Sequence, residues 1–371
     1  MDVLRVAISQ FIARRDESRT VIAGYPWFLD WGRDTLICLR GLIAAGFVEE
    51  AREIAVQFAS FEQGGTLPNM IRGDDVSNRD TSDAPLWLFV AIGDLVDEAG
   101  PEILETDCRG RSLLAVLESI ARNYERGTPN GIRVDSDSGL VFSPSHFTWM
   151  DTNHPAGTPR EGYPVEIQAL WIAALRFLEQ WAPAGKRSAL LARARKSLCS
   201  LYPLGEPGYL SDCLHGAPGT PASSATPDDH CRPNQLFCIT LGCLDDPDLG
   251  RDIVRQCYRL VIPGAIRSLA DQPVRHPLPI HRDGDTLNDP DRPYWGHYAG
   301  EEDTRRKPAY HNGTAWTWPF PTYCEALSSL PGASATRAAR ELLLSITKVL
   351  DEGCLAQVPE IADGNRPHEQ R

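Results

Sequence analysis

Apolar residues recur every three or four positions along most of the chain, which is the pattern of amphipathic helices. Residues 33–61 contain two such runs, separated only by the short turn "AGF", so they predict a helical hairpin. Nine further stretches show the pattern, beginning with residues 2–15. A capping Ser82 or Asp83 is expected before one helix, and Gly127 after another. The chain therefore predicts about eleven helices.

Strand-like alternation of apolar and polar residues is scarce. Residues 131–143 fit a β-hairpin, and they fit a loop equally well. No close sequence repeat is visible, although helical pairs recur along the chain. The pattern therefore predicts an all-α fold that is built from antiparallel helix pairs.

Two long irregular stretches, residues 204–231 and 271–310, are rich in Pro, Gly and Asp. Irregular loops of this length are uncommon in compact domains and often carry function. Residues 216–229 favour a disordered surface insertion. The aromatic stretch "RPYWGHYAG" favours burial or stacking on a ligand, because aromatic side chains gain from both.

Composition narrows the class of partner. The chain has 371 residues, 42% of them hydrophobic, which suffices for one large or two medium domains. The net charge of -13 argues against nucleic acid as a binding partner and favours a sugar or another neutral or cationic small substrate. No apolar stretch approaches the roughly 20 residues of a membrane helix. Ten unevenly spaced cysteines, and a start without a signal-peptide pattern, predict reduced thiols in a cytosolic protein.

Aromatic residues surround polar ones in an early segment, residues 23–35, where Trp31 lies close to Arg33 and Asp34. Flat apolar faces beside hydrogen-bonding groups suit a sugar ring, which has apolar C–H faces and polar hydroxyls. The alternative is a helix start, since an aspartate in the first turn favours the helix dipole. Composition alone leaves both interpretations open.

Three acids are further candidates. Asp151 follows Trp149 in "TWMD". An apolar wall raises a carboxyl pKa, as a general acid requires, whereas a turn aspartate is the ordinary alternative. Glu360 lies in a loop of small and apolar residues, and is either a solvated acid or a catalytic base. Glu166 lies early in a predicted helix, where the helix dipole also explains an acid.

Polar and aromatic residues near two other helix starts are weaker candidates. Asn234 and Gln235 suit hydroxyl binding or helix capping, and a histidine such as His311 is more often structural than catalytic. Trp316 and Trp318 lie in a helix predicted over residues 312–330. The sequence contains no dinucleotide-binding glycine motif, phosphate-binding P-loop or nucleophile elbow. Irregular Cys and His spacings make a zinc site a poor expectation.

Eight short segments of the chain, taken in order, resemble the C-terminal amylo-α-1,6-glucosidase domain of glycogen debranching enzymes. They are "AGYPWFLDWGRDT", "LPNMI", "DTSDAPLWLF", "TWMD", "PVEIQALW", "RPNQL", "AYHNGTAWTW" and "PEIADG". The resemblance extends from about residue 20 to residue 366. It implies an (α/α)6 barrel, in a single catalytic domain over residues 1–371.

The resemblance also implies roles for the candidates. Asp151 becomes the general acid that protonates the leaving oxygen, and Glu360 the general base that activates water, in an inverting reaction. The implied hydroxyl ligands and apolar walls are Arg33, Asp34, Trp31, Trp149, Trp316 and Trp318. Second-rank binding or orienting candidates are Glu166, Asn234, Gln235 and His311. No metal or organic cofactor is implied, because two carboxylates suffice.

The chain departs from the family pattern in three respects. Only about 20 residues precede "AGYPWF", where relatives carry a β-rich domain. The helix that closes the ring in relatives is missing after Glu360, so the domain is expected to be truncated at both ends. Asn312 and Thr317 stand where bacterial relatives usually have Gln and Pro, which bears on substrate details.

The expected function is release of glucose from α-1,6 branch points of glycogen or limit dextrin by a cytosolic enzyme. One alternative is a glucoamylase- or trehalase-like hydrolase with the same acid pair. Another is an inactive, truncated remnant that binds glycan without turnover. The sequence leaves branch-length preference and oligomeric state open.

Overall fold

A computed structural model of the protein describes residues 2–24, 28–152, 155, 157–206, 208–350 and 356–371. The chain divides into two units. Unit 1 comprises Met1–Trp149 and Leu170–Lys196, and unit 2 comprises Met150–Ala169 and Ser197–Arg371. The described part contains twelve α-helices, which confirms a helix-rich fold.

Unit 1 is organised around paired helices. Its helices are α1 (Asp2–Ser9), α2 (Gly32–Ala44), α3 (Val48–Ala59), α4 (Ala84–Ala99), α5 (Leu113–Arg126), and the larger parts of α6 (Val165–Trp181) and α7 (Gly185–Leu201). The predicted hairpin is confirmed as α2 and α3. Helix α2 buries Leu36, Leu39 and Leu42 completely, since their three-residue spacing keeps them on one face.

The helix ends follow the expected capping chemistry with one change. Asp83 is the N-cap residue of α4, as predicted, but its side chain makes no capping hydrogen bond, and the Thr81 hydroxyl accepts from the Ala84 amide at 3.2 Å instead. Helix α5 ends at Gly127, as predicted, and this glycine has a φ of 99°. Glycine adopts such a φ without the steric cost that a Cβ would bring.

Short antiparallel strands correct the prediction of a purely all-α fold. Those of unit 1 are β1 (Ile12–Arg15), β2 (Ser18–Val21), β3 (Asp30–Trp31), β4 (Met70–Ile71), β5 (Arg133–Val134) and β6 (Val141–Phe142). They pair as β1–β2, β3–β4 and β5–β6, and the last pair confirms the hairpin. Strands of two to four residues are too short to show the alternation from which strands are predicted.

The helix predicted over residues 2–15 was wrong in its second half. Helix α1 ends at Ser9, and Ile12–Arg15 forms β1. Asp16 begins the turn to β2 with a φ of 51°, a left-handed conformation that Asp tolerates better than most residues. The turn therefore overrides the helical periodicity.

Unit 2 combines short helices with three small sheets. The helices are α8 (Leu236–Thr240), α9 (Pro247–Cys257), α10 (Lys307–Tyr310), α11 (Phe320–Ser328) and α12 (Ala333–Leu344). The strands are β7 (Gly162–Pro164), β8 (Cys213–His215), β9 (Thr226–Pro227), β10 (Val261–Ile262), β11 (Ala265–Arg267), β12 (His281–Arg282), β13 (Asp285–Thr286), β14 (Ala315–Trp316) and β15 (Ile361–Ala362). The sheet orders are β7-β8-β9, β12-β13 and β10-β11-β14-β15.

Two expectations in unit 2 were wrong. The helix predicted from residue 312 begins only at Phe320, because Ala315–Trp316 forms β14 between β11 and β15. Residues 216–229 are not a disordered insertion, since Thr226–Pro227 forms β9 and pairs with β8. In both stretches, pairing with a neighbouring strand decides the local structure.

No helix within the described ranges is both long enough and apolar enough to cross a membrane.

Candidate active site

The candidate residues are divided between the two units. Unit 1 holds Trp31, Arg33, Asp34 and Trp149. Unit 2 holds Asp151, Glu166, Asn234, Gln235, His311, Trp316, Trp318 and Glu360.

Arg33 forms a buried ion pair in unit 1. Its Nε donates to Asp83 Oδ2 at 2.6 Å, and the two side chains are 9% and 2% exposed. The Thr81 hydroxyl donates to Asp83 Oδ1, also at 2.6 Å. The carboxylate of Asp83 thus fixes the guanidinium and balances its charge. The sequence suggested Asp83 only as a helix cap, although it lies within the segment "DTSDAPLWLF".

The start of α2 is fixed by the segment "LPNMI". Trp31 pairs with Met70 across β3 and β4, and the Gly32 amide donates to the Asn69 carbonyl at 2.9 Å. A Cβ on Gly32 would lie 2.3 Å from the Pro68 carbonyl oxygen, so only glycine permits this approach. Trp31 and Asp34 are both half-buried.

The segment before Trp149 is hydrogen-bonded to residues 81–83, the turn that also carries Asp83, the ion-pair partner of Arg33. The Ser82 amide donates to the Phe147 carbonyl at 2.7 Å, and the hydroxyls of Ser82 and Ser143 are 2.8 Å apart. Trp149 itself is 5% exposed. Residues 81–83 therefore hold both Arg33 and the approach to Trp149.

Four charged side chains form a buried network in unit 2. The Arg160 Nη1 and Nη2 atoms donate to both oxygens of Glu166 at 2.5 and 2.6 Å, and Nε donates to Asp212 Oδ2 at 2.7 Å. Arg232 Nε lies 3.5 Å from the same Asp212 oxygen. Two cations thus face two anions, and all four side chains are at most 3% exposed.

The network keeps Arg160 charged. Burial alone would lower the pKa of its guanidinium, but the carboxylates of Asp212 and Glu166 raise that pKa well above its usual range. Arg160 also has a φ of 46°, which an L-residue adopts at a cost of roughly 1–2 kcal/mol. The three ion-pair contacts compensate for this strain. Sequence reasoning missed Arg160 and Asp212, because both lie outside the segments that carry the family resemblance.

The amides of Asn234 and Gln235 are buried and bonded within the protein. Asn234 Nδ2 donates to Asp212 Oδ1 at 2.7 Å. Gln235 accepts from the Leu210 amide and donates to the Arg232 carbonyl, both at 3.0 Å. Both side chains therefore reinforce the charged network.

The aromatic candidates of unit 2 differ in accessibility. His311 stacks on Trp316 with ring centroids 5.2 Å apart, and both residues are buried. Trp316 Nε1 donates to the Tyr310 carbonyl at 2.9 Å. Trp318 stacks on Phe237 at 5.8 Å and is only half-buried. Trp318 is consequently the most accessible of these three rings.

The two candidate acids lie in accessible positions of unit 2. Asp151 is half-buried and follows the fully buried Met150, and Glu360 is exposed and directly precedes β15. The Thr317 amide donates to the Glu360 carbonyl at 3.1 Å, and the Thr317 hydroxyl donates to the Pro359 carbonyl at 2.8 Å. The backbone that carries Glu360 is therefore fixed.

Asp363 is a second anchor of the Glu360 segment. Its carboxylate accepts from the Tyr298 amide at 2.9 Å and from Arg371 Nη2 at 2.7 Å, and lies 2.8 Å from His297 Nδ1. Burial alone would raise the pKa of Asp363, but the Arg371, Tyr298 and His297 contacts hold that pKa below its usual value. Sequence reasoning did not select Asp363, although it lies in "PEIADG".

Comparison with known proteins identifies the family of this chain. The chain matches the amylo-alpha-1,6-glucosidase family over residues 6–371. It is also similar to the glycogen debranching enzyme of Saccharomyces cerevisiae, with 27% identity over 219 residues, a match that covers 43% of this chain and 14% of the yeast protein. The match thus spans a small part of that relative's own length. Because the family match covers nearly the whole chain, this protein belongs to the amylo-alpha-1,6-glucosidase family.

Proposed function

We propose that this chain is a glycoside hydrolase that releases glucose from α-1,6 branch points of glycogen or limit dextrin. The observation that carries the proposal is the difference in burial among the candidate acids of unit 2. Asp151 is half-buried and Glu360 is exposed, whereas the Glu166 side chain is 3% exposed and is held by Arg160 in the interior. Family membership over residues 6–371 supports the class of substrate.

In the proposed reaction, Asp151 donates a proton to the glycosidic oxygen as the bond to the anomeric carbon breaks. A water molecule attacks that carbon from the opposite face and gives its proton to Glu360. The products are free glucose and a glucan that has lost the branch residue. This inverting course requires the two carboxyl groups roughly 6.5–9.5 Å apart, so that water fits between base and sugar. From an α-linkage it releases β-glucose.

The remaining candidates receive their roles from the family resemblance, and burial guides the assignment only for Trp318 and for the four polar side chains that are given positioning roles. Following the family resemblance, we assign hydroxyl binding to Arg33 and Asp34. The proposed apolar walls are Trp31, Trp149, Trp316 and Trp318, with the accessible Trp318 in direct contact with glucan. We assign positioning roles to the buried side chains of Glu166, Asn234, Gln235 and His311. We also propose one (α/α)6 catalytic domain over residues 1–371, located in the cytosol, with no cofactor required by the chemistry.

The test is release of glucose from a branched α-1,6 limit dextrin by the purified chain. We expect Asp151→Asn and Glu360→Gln each to lower kcat by about 10²–10⁴-fold, because each removes a proton-transfer group. The exposed acids Asp137 and Glu125 provide matched controls, and Asp137→Asn and Glu125→Gln are expected to retain full activity. Proton NMR of the first product should show β-glucose.

Two outcomes would overturn the proposal. A folded chain that binds the dextrin without releasing glucose would be a glycan-binding protein. Faster hydrolysis of linear maltooligosaccharides or trehalose than of the branched dextrin would indicate a glucoamylase- or trehalase-like hydrolase.

A further inference from the structure

We infer that one short segment, Asn312–Thr317, holds both acid-bearing loops of unit 2 and thereby sets the spacing of the two carboxylates. This inference rests on the proposed function, which gives the two acids their roles. We call the segment the brace. Its two ends, Asn312 and Thr317, are positioning residues, since neither carries an acid of its own.

Asn312 holds the loop that follows Asp151. Its side chain is completely buried, and Nδ2 donates to the Gly157 carbonyl at 3.1 Å and to the Pro308 carbonyl at 3.0 Å. Its Oδ1 accepts from Arg232 Nη2 at 2.8 Å. Both amide protons and the carbonyl oxygen are therefore in use, which fixes the direction of the side chain.

The Asp151 loop is closed just beyond this contact. The Thr158 hydroxyl donates to the Met150 carbonyl at 3.0 Å, so the residue before Asp151 is bonded to the residue after Gly157. Asn234 Nδ2 also lies 3.7 Å from the Met150 sulfur. A displacement of Gly157 is consequently transmitted through the Thr158 hydroxyl to Met150, the residue directly before Asp151.

Thr317 holds the loop that carries Glu360. Its amide donates to the Glu360 carbonyl at 3.1 Å, and its hydroxyl donates to the Pro359 carbonyl at 2.8 Å. The adjacent strands continue the contact, since Trp316 pairs with Ile361 across β14 and β15. The residues on both sides of Glu360 are thus bonded to the brace.

The brace between these two ends is rigid. Residues 312–316 are buried, and β14 is an inner strand, with Ile266 of β11 on one side and Ile361 of β15 on the other. The approach to the Glu360 loop is also close. A Cβ on Gly364 would lie 2.1 Å from the Gly313 carbonyl oxygen. The two acid-bearing loops therefore share one stiff support.

This arrangement has a consequence for catalysis. Water must fit between base and sugar while the acid reaches the glycosidic oxygen, and a displacement of about 1 Å can lower a rate by about 100-fold. Releasing either end of the brace changes that geometry but leaves sugar contacts elsewhere in place. The loss should therefore fall on kcat and spare KM.

The test compares Thr317→Val with Thr317→Ser on the limit dextrin. We expect Thr317→Val to lower kcat by about 10- to 100-fold with KM within about twofold, because it loses the hydroxyl's bonds to the carbonyls of Pro359 and Glu360. Thr317→Ser keeps the hydroxyl and should retain the original kcat. The exposed Thr347 makes the same kind of hydroxyl-to-carbonyl bond, to Leu344 at 2.7 Å, and Thr347→Val is the matched control.

The other end is tested with Asn312→Ser, alone and combined with Thr317→Val. Because both ends act through one support, we expect the fold decrease in kcat of the double variant to be smaller than the product of the two single fold decreases. Circular dichroism identifies variants that do not fold. If Asn312→Ser fails to fold, the Thr317 pair still decides the question.

Hydrogen exchange separates failure of this inference from failure of the proposed function. Thr317→Val should raise amide exchange in residues 356–362, and Asn312→Ser should raise it in residues 157–160, whatever reaction the chain catalyses. An inactive parent chain with these exchange changes would overturn the proposed function and keep the brace. Unchanged exchange and unchanged kcat in Thr317→Val would overturn the brace.

Discussion

Asp83 has a clear energetic consequence at the scale of single residues, because it balances the Arg33 charge inside the protein. Asp83→Asn keeps the shape of the side chain and removes its charge. Breaking one side of a buried ion pair costs about 3–5 kcal/mol. We expect the free energy of unfolding in urea to fall by that amount.

The pair Arg40–Asp94 in unit 1 provides the matched control. Its Nε–Oδ2 distance is 2.9 Å, and its side chains are 38% and 33% exposed. Asp94→Asn should cost no more than about 1 kcal/mol, since water already screens this pair. Equal losses in the two variants would contradict the view that burial makes Asp83 important.

Asp363 gives a prediction for pH. The Arg371, Tyr298 and His297 contacts lower its pKa in the folded chain, so it stabilises the fold above its unfolded pKa of about 3.9. That contribution is lost as pH falls through the lower folded pKa. We therefore expect Asp363→Asn to flatten the fall of Tm below about pH 4, as measured by calorimetry. An unchanged acid slope would contradict this role.

At the scale of elements, the cap of α5 can be tested in isolation. The Ser112 hydroxyl accepts from the Ala115 amide at 3.2 Å, so Ser112→Ala leaves a helix-end amide without its partner. The expected cost is about 1 kcal/mol in urea unfolding. Ser200→Ala on α7 is the control, since that hydroxyl only donates to the Ser197 carbonyl at 3.3 Å on an exposed face. A cost for Ser200→Ala equal to that for Ser112→Ala would argue against capping.

The elements that could be predicted from sequence are those with long local patterns. Helices α2 and α3 repeat their apolar positions over several turns, and local periodicity therefore identified them. Strand β14 has two residues and exists because β11 and β15 lie on its two sides. Its pairing depends on residues far apart in the chain, so the local sequence pattern does not predict it.

At the scale of the whole molecule, the order of the family segments indicated the class of protein but not what supports the candidate acids. Asp151 and Glu360 were selected from sequence, and their catalytic roles stay predictions. Arg160 and Asp212 are 52 residues apart and lie outside every matched segment, so no pattern connected them. Only the folded chain brings these charges together.

The buried network of Arg160, Glu166, Asp212 and Arg232 also constrains how this chain can change through evolution. Losing one charge leaves its partner buried without a counter-charge. Replacing all the charged residues of such a network by apolar residues of similar volume is, in contrast, often neutral or stabilising. Single steps away from the network are therefore disfavoured, even where the final sequence would fold well. The four positions are expected to be inherited as a group, and to change together when they change at all.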